Sequence, residues 1–198
     1  MLSLNELGMR NRAKKMMIRQ LALLVVLLCA PAVFAQTTAQ GTINATLINK
    51  SGISLIFDTD TTGNGVSLGN NGSSNATLDF GNISAFGPLT VPNVSRPLVT
   101  AANYTVQTTF DIQVILGGIT SPNYTLKANL AAAAATGLTY AVDAVTLTTA
   151  AQTIQTTGTY NQDVRHTLSL TVSTAAPGAG GPTLGAQSAT LNFTATSN

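Results

Sequence analysis

From Gln36 to Asn198 apolar and polar residues alternate with a period of two, the spacing of a strand that buries one face and shows the other to water. Ile43, Ala45 and Leu47 alternate with Thr42, Asn44 and Thr46, and Val106, Thr108, Phe110 and Ile112 share one parity. Tyr124, Leu126 and Ala128 alternate with Thr125, Lys127 and Asn129; Leu168, Leu170 and Val172 repeat the pattern, as do Ala189, Leu191, Phe193 and Ala195. Thr and Val dominate these runs, and two heavy atoms on Cβ lower helix propensity while suiting a pleated surface. Turn-forming clusters separate them: Thr61 to Gly65, Gly69 to Asn75, Gly117-Gly118, Ser121-Pro122-Asn123 and Ala176 to Pro182. Gly and Asn tolerate positive φ and Pro fixes φ, so each cluster reverses or releases the chain. The pattern predicts about eight to ten short strands in an all-β chain, an immunoglobulin-like antiparallel β-sandwich.

One stretch departs from the period. Leu130 to Thr136 contains five consecutive alanines, but it lacks a good N-cap and ends at Gly137, which predicts a loop or short turn between strands and not a packed helix. An outer-membrane barrel would also fit the length, yet it calls for aromatic girdles and a lipid-facing apolar band. Aromatics make up 5% of the chain and Thr occupies most outward positions.

Before this region lies a different pattern. Arg10, Arg12, Lys14, Lys15 and Arg19 precede an apolar run from Leu21 to Leu28, and Ala32-Val33-Phe34-Ala35 follows. Positive charge, a short apolar run and small residues before a cut after Ala35 are the marks of a secretory signal peptide. The run falls short of the roughly 20 residues that a membrane span needs. Met9, Met16 and Met17 are alternative starts, and no later reading depends on which is used. The expected organisation is a leader over 1–35, an N-terminal arm or first strand over 36–49, and a sandwich over 50–198.

The leader changes the charge reading. The whole chain has a formal net charge of +2, but beyond Ala35 only Lys50, Arg96, Lys127 and Arg165 face Asp58, Asp60, Asp79, Asp111, Asp143 and Asp163. The exported part is therefore mildly acidic, with no basic patch for nucleic acid. The single cysteine, Cys29, sits in the apolar run; Leu28 stands where a lipoprotein cut wants a small residue, so Cys29 reads as leader filler. Disulfides then cannot staple the domain, and sheet packing must stabilise it.

Few groups are suited to chemistry. Asp58-Thr59-Asp60-Thr61-Thr62-Gly63 has carboxylates at positions 1 and 3 and a glycine at 6 of a calcium loop, which makes Asp58 and Asp60 candidate metal ligands. Position 5 is Thr62 and position 12 is Gly69 where a bidentate Glu belongs, so a hairpin turn of the same composition is the simpler reading. His166, the only histidine, falls on the apolar parity of its strand and reads as a core residue. Past the leader there is no Glu, and the chain shows no P-loop, dinucleotide fingerprint or HExxH, so neither an enzyme nor a cofactor is expected. The Asn-x-Ser/Thr triplets read as surface composition.

The order of several short pieces resembles the spore coat protein U and archaic chaperone–usher pilin-like secreted domains. These are Leu78-Asp79-Phe80-Gly81-Asn82-Ile83, Asn123-Tyr124-Thr125-Leu126, Leu138-Thr139-Tyr140-Ala141-Val142-Asp143, and a final alternating strand from Ser188 to Thr196 after a Gly/Pro loop. That family's cysteine pair and tryptophan are missing here. The resemblance implies a sheet that lacks one strand and is completed by an arm from a neighbouring subunit, with a periplasmic chaperone and usher serving assembly. Residues 36–49 are the candidate arm, with Ile43, Ala45 and Leu47 as strand-exchange side chains, or else the first strand of their own domain. The expected function is an exported structural subunit of a bacterial surface filament or coat, periplasmic or on the cell surface, with copies of itself as partners. The competing expectation is a secreted carbohydrate- or surface-binding module, for which Tyr104, Tyr124, Tyr140 and Tyr160 are the candidate stacking residues.

Overall fold

A computed structural model describes residues 37–45, 53–118, 120–183 and 185–198; residues 1–35, expected to be a leader, and Leu47 lie outside them. The described residues contain no helix and eleven strands. In chain order these are β1 (Thr37–Ala45), β2 (Ile53–Thr59), β3 (Asn75–Ile83), β4 (Ser95–Val99), β5 (Asn103–Leu116), β6 (Tyr124–Leu130), β7 (Leu138–Val142), β8 (Val145–Thr146), β9 (Gln152–Gly158), β10 (Asp163–Ser173) and β11 (Gly185–Ser197). One sheet runs β3-β1-β11-β6-β9. The other runs β2-β5-β10-β7-β8, with β4 beside β2 on the same edge of β5. The alanine run, 131–135, is a loop between β6 and β7.

The period-2 reading holds in β5, β6, β10 and β11. Val106, Thr108, Phe110, Ile112 and Val114 of β5 are buried, as are His166, Leu168, Leu170 and Val172 of β10, and Leu191, Phe193 and Ala195 of β11. The two inward faces meet in one apolar core. At its centre Phe193 stands edge-on to Phe57, with ring centroids 5.4 Å apart, and to Phe110 at 6.0 Å, a geometry aromatic quadrupoles favour. Further along, Tyr124 lies over Gly158, where a Cβ would overlap its ring; the absent side chain makes room for the tyrosine between β6 and β9.

Two features differ from the sequence expectation. β4 and β8, five and two residues long, are too short for a period to register. The sheets are also not wholly antiparallel, because β1 runs parallel to β11 from Thr37↔Gly185 to Ala45↔Phe193. A parallel pair cannot be closed by a hairpin and needs a long crossover. Here almost the whole domain serves as that crossover, so no local signal marks the pairing.

Candidate strand-pairing site

Every described residue of β1 is paired with β11, and Thr37, Thr38 and Gln40 to Asn44 are also paired, antiparallel, with β3. β1 thus occupies a central slot and has partners on both edges. Ile43 stands in register with Leu191 on one side and Ala76 on the other, and Ala45 stands opposite Phe193. Ala76, Leu78 and Phe80 of β3 and Leu191, Phe193 and Ala195 of β11, the flanking core residues, are buried. Two of the three candidate strand-exchange residues, Ile43 and Ala45, are therefore register partners of buried apolar residues.

Within its sheet β3 has a single ladder neighbour, β1. Its other edge carries only an isolated bridge, in which Gly69 N–H donates to the Thr77 carbonyl and Thr77 N–H to the Gly69 carbonyl, each at 2.9 Å. Removing β1 would leave both β3 and β11 with a row of unpaired backbone groups. The outer edges, by contrast, are broken up. β9 meets β6 across two register shifts, and β4 carries Pro97, which has no N–H to donate. Edges of that kind discourage pairing with another chain.

The other candidate residues do not converge. Asp60 and Asp58 belong to separate interactions. Asp60, 2% exposed, accepts hydrogen bonds from Thr62 N–H and hydroxyl at 2.8 and 2.6 Å and from the Thr109 hydroxyl, and pairs with Arg165 Nε at 3.1 Å. Burial pushes its carboxyl up, but these donors and the guanidinium outweigh burial and hold it below the usual carboxylate range. Asp58 sits on β2 directly opposite Asp111 of β5. Burial, and then the charges of Asp163 and Asp111, push its carboxyl above that range. Gly69, where the calcium reading wanted a bidentate Glu, is spent on the bridge to Thr77. Among the described residues no three His, Cys, Asp or Glu side chains are gathered so as to hold a metal ion.

His166 is a core residue. Its Nδ1 lies 2.6 Å from Asp143 Oδ2, its Nε2 is buried without a partner, and its ring is 6.0 Å from that of Phe110. Burial raises the Asp143 carboxyl, but the hydrogen bonds from His166 and Thr167 N–H outweigh it and hold the group low. A general base needs an open nitrogen within reach of substrate. Nε2 is buried without a hydrogen-bond partner, and the Asp143 contacts to His166 and Thr167 hold the Val142–Val145 turn onto β10. Sequence reasoning missed Asp143, which sits at φ 49° in that turn, because nothing local links it to a histidine 23 residues away.

The stacking candidates are corrected outright. Tyr104, Tyr124, Tyr140 and Tyr160 are at most 8% exposed and belong to the core. The exposed aromatic among the described residues is Phe86.

Comparison with known protein families matched none, and comparison with curated proteins gave no match.

Proposed function

We propose that this chain is an exported structural subunit of a bacterial surface filament or coat, and that copies assemble by giving the N-terminal strand of one to the slot of the next. The observation that carries this reading is β1 itself: it is the N-terminal described strand, it is hydrogen-bonded on both edges, and it alone ties β3 into its sheet. An N-terminal strand joined at one end can leave without unthreading the rest, and an identical strand from a neighbour satisfies the same backbone groups. The reading also draws on the leader, on the largely uncharged Thr/Asn composition beyond it, and on the pilin-like order of motifs. A periplasmic chaperone and usher fit such a subunit, since an empty slot exposes both backbone and core. The carbohydrate-binding alternative loses its tyrosines to the core, and no described feature favours it.

The test is deletion with restoration. A protein starting at Lys50 is expected to lose cooperative folding or aggregate, and a synthetic peptide of residues 36–49 added in trans is expected to restore a sharp melting transition. Equal heat stability and a monomeric state with and without residues 36–49 would refute the reading.

A further inference from the structure

The chain between β2 and β3 is a strap that spans the two sheets. At its start, beneath Thr61 and Thr62, lie two carboxylates that the outward parity of their strands would have left in water. Asp111 is on the solvent-facing parity of β5 and yet only 2% exposed; its Oδ2 accepts from Thr61 N–H at 2.8 Å and Thr61 Oγ1 at 2.9 Å. Asp60 is equally buried and is held by Thr62, Thr109 and Arg165, as described above. Gly65 fits against β5 because a Cβ there would overlap the Thr109 carbonyl. Val66 N–H then donates to Thr108 Oγ1 at 3.1 Å, fixing the strap to the six-stranded sheet. Its far end reaches the other sheet, where Gly69 pairs with Thr77 at the point where Thr77 is also paired with Thr42 of β1. The strap thus holds the lip of the β1 slot from outside.

We propose that this strap is an acid-sensitive latch on the slot: the buried carboxylates anchor it to β5 and β10, and protonating Asp60 frees β3, and with it β1, before the rest of the sandwich opens. The inference rests on the strand-exchange reading for its biological use, but the latch itself is a property of the single molecule.

The sign follows from the surroundings. Asp60 faces Arg165 on β10, Thr109 on β5 and Thr62 on the strap; Asp111 faces Thr61 on the strap, Asp58 on β2 and Arg165 on β10, with Asp163 beyond Asp58's charge. His166 and its partner Asp143 pair on the opposite parity of β10. Asp60 has a lower pKa folded than unfolded, so the stability it contributes is present above the unfolded value and lost as pH falls through the folded one. Asp58 is shifted the other way; its protonation comes first and relieves repulsion with Asp111 and Asp163. The latch therefore stays shut while Asp60 keeps its charge and loosens as Asp60 takes a proton.

Hydrogen exchange of residues 36–198, corrected for intrinsic rates, tests this between about pH 6 and about pH 1.5. Protection at Gly69, Thr77 and the β1 amides is expected to fall about ten- to a hundredfold at the acid end while the β5–β10 ladder keeps its protection. Asp60→Asn is expected to show the loosened pattern already at pH 6, with little further change on acidification. Thr109→Val, which removes one donor to Asp60, gives a milder version if Asp60→Asn fails to fold. The proposal is overturned if Gly69 and Thr77 lose protection only together with the β5–β10 ladder, or if neither variant alters them at pH 6. Peptide uptake measured in parallel separates the two ideas: local loosening without uptake sinks the exchange reading alone, and uptake without pH-dependent loosening sinks the latch alone.

Discussion

Proline at Thr42 is the sharpest perturbation of the slot. Thr42 pairs with Thr190 of β11 and Thr77 of β3, so its N–H lies between two partners and no orientation leaves that group free. Replacing it removes one ladder hydrogen bond and strands a carbonyl on the neighbouring strand, which costs about 1–3 kcal/mol when that carbonyl is shut off from water. The pyrrolidine ring adds steric cost in a central strand, bringing the total to about 2–4 kcal/mol. For a domain near 160 residues each kcal/mol moves the melting temperature by about 2–4 °C, so Thr42→Pro is expected to melt roughly 4–16 °C below the parent. Thr42→Ala, which keeps the N–H, should cost less than about 1 kcal/mol. Melting curves by circular dichroism on residues 36–198 decide it. If Thr42→Pro melts within about 1 °C of Thr42→Ala, β1 is not held on both edges and the slot argument collapses.

Two further variants probe the turn that carries Asp143. Ala144 adopts φ 67°, a left-handed conformation in which its Cβ crowds the backbone, at a turn position where glycine is the usual occupant. Ala144→Gly should therefore stabilise by about 0.5–1 kcal/mol after glycine's greater unfolded freedom is subtracted, visible as a higher urea midpoint at unchanged slope. Asp143→Asn removes the charge beside His166 and should lower stability at neutral pH by about 1–3 kcal/mol. Because Asp143 is held low in the folded state, its contribution is present at neutral pH and lost in acid; the variant's deficit against the parent should shrink as a urea titration is repeated at falling pH. A deficit that grows in acid would mean the carboxylate is not the partner that matters.

Much of the sandwich was legible because burying one face of a strand imprints the period of two on its residues. In β5, β6, β10 and β11 the alternating residues named from the sequence alone fill the core, except that Ala189 is only partly buried against it. What escaped was set by partners distant along the chain. The parallel pairing of β1 with β11 joins segments at the two ends of the domain, and either neighbour or self could supply such a strand with the same alternation. Asp111 breaks the rule of its own strand because a loop covers an outward position, and a loop's resting place has no period. Tyrosine suits a stacking surface and a core equally well in composition, so only packing could tell Tyr140 from an exposed ring. Asp58 and Asp60 share a parity in an extended chain, but the backbone turns at Asp60 and carries its carboxylate to Thr109 and Arg165, away from Asp58.

Cys29 is the chain's single cysteine, so residues 36–198 give a clean background for a crosslink between register partners. Thr42 and Thr190 stand side by side in neighbouring strands, whose spacing of about 4.8 Å lies within disulfide range. With both positions changed to Cys in one chain of residues 36–198, oxidation should lock β1 into its own slot and give monomers. Mixing a Thr42→Cys protein with a Thr190→Cys protein should give disulfide-linked pairs of unlike chains, at a rate that rises as the strap is loosened. Crosslinking in the double variant but never between the single variants, even after incubation near the melting temperature, would contradict the account: β1 would then be a permanent strand of its own domain.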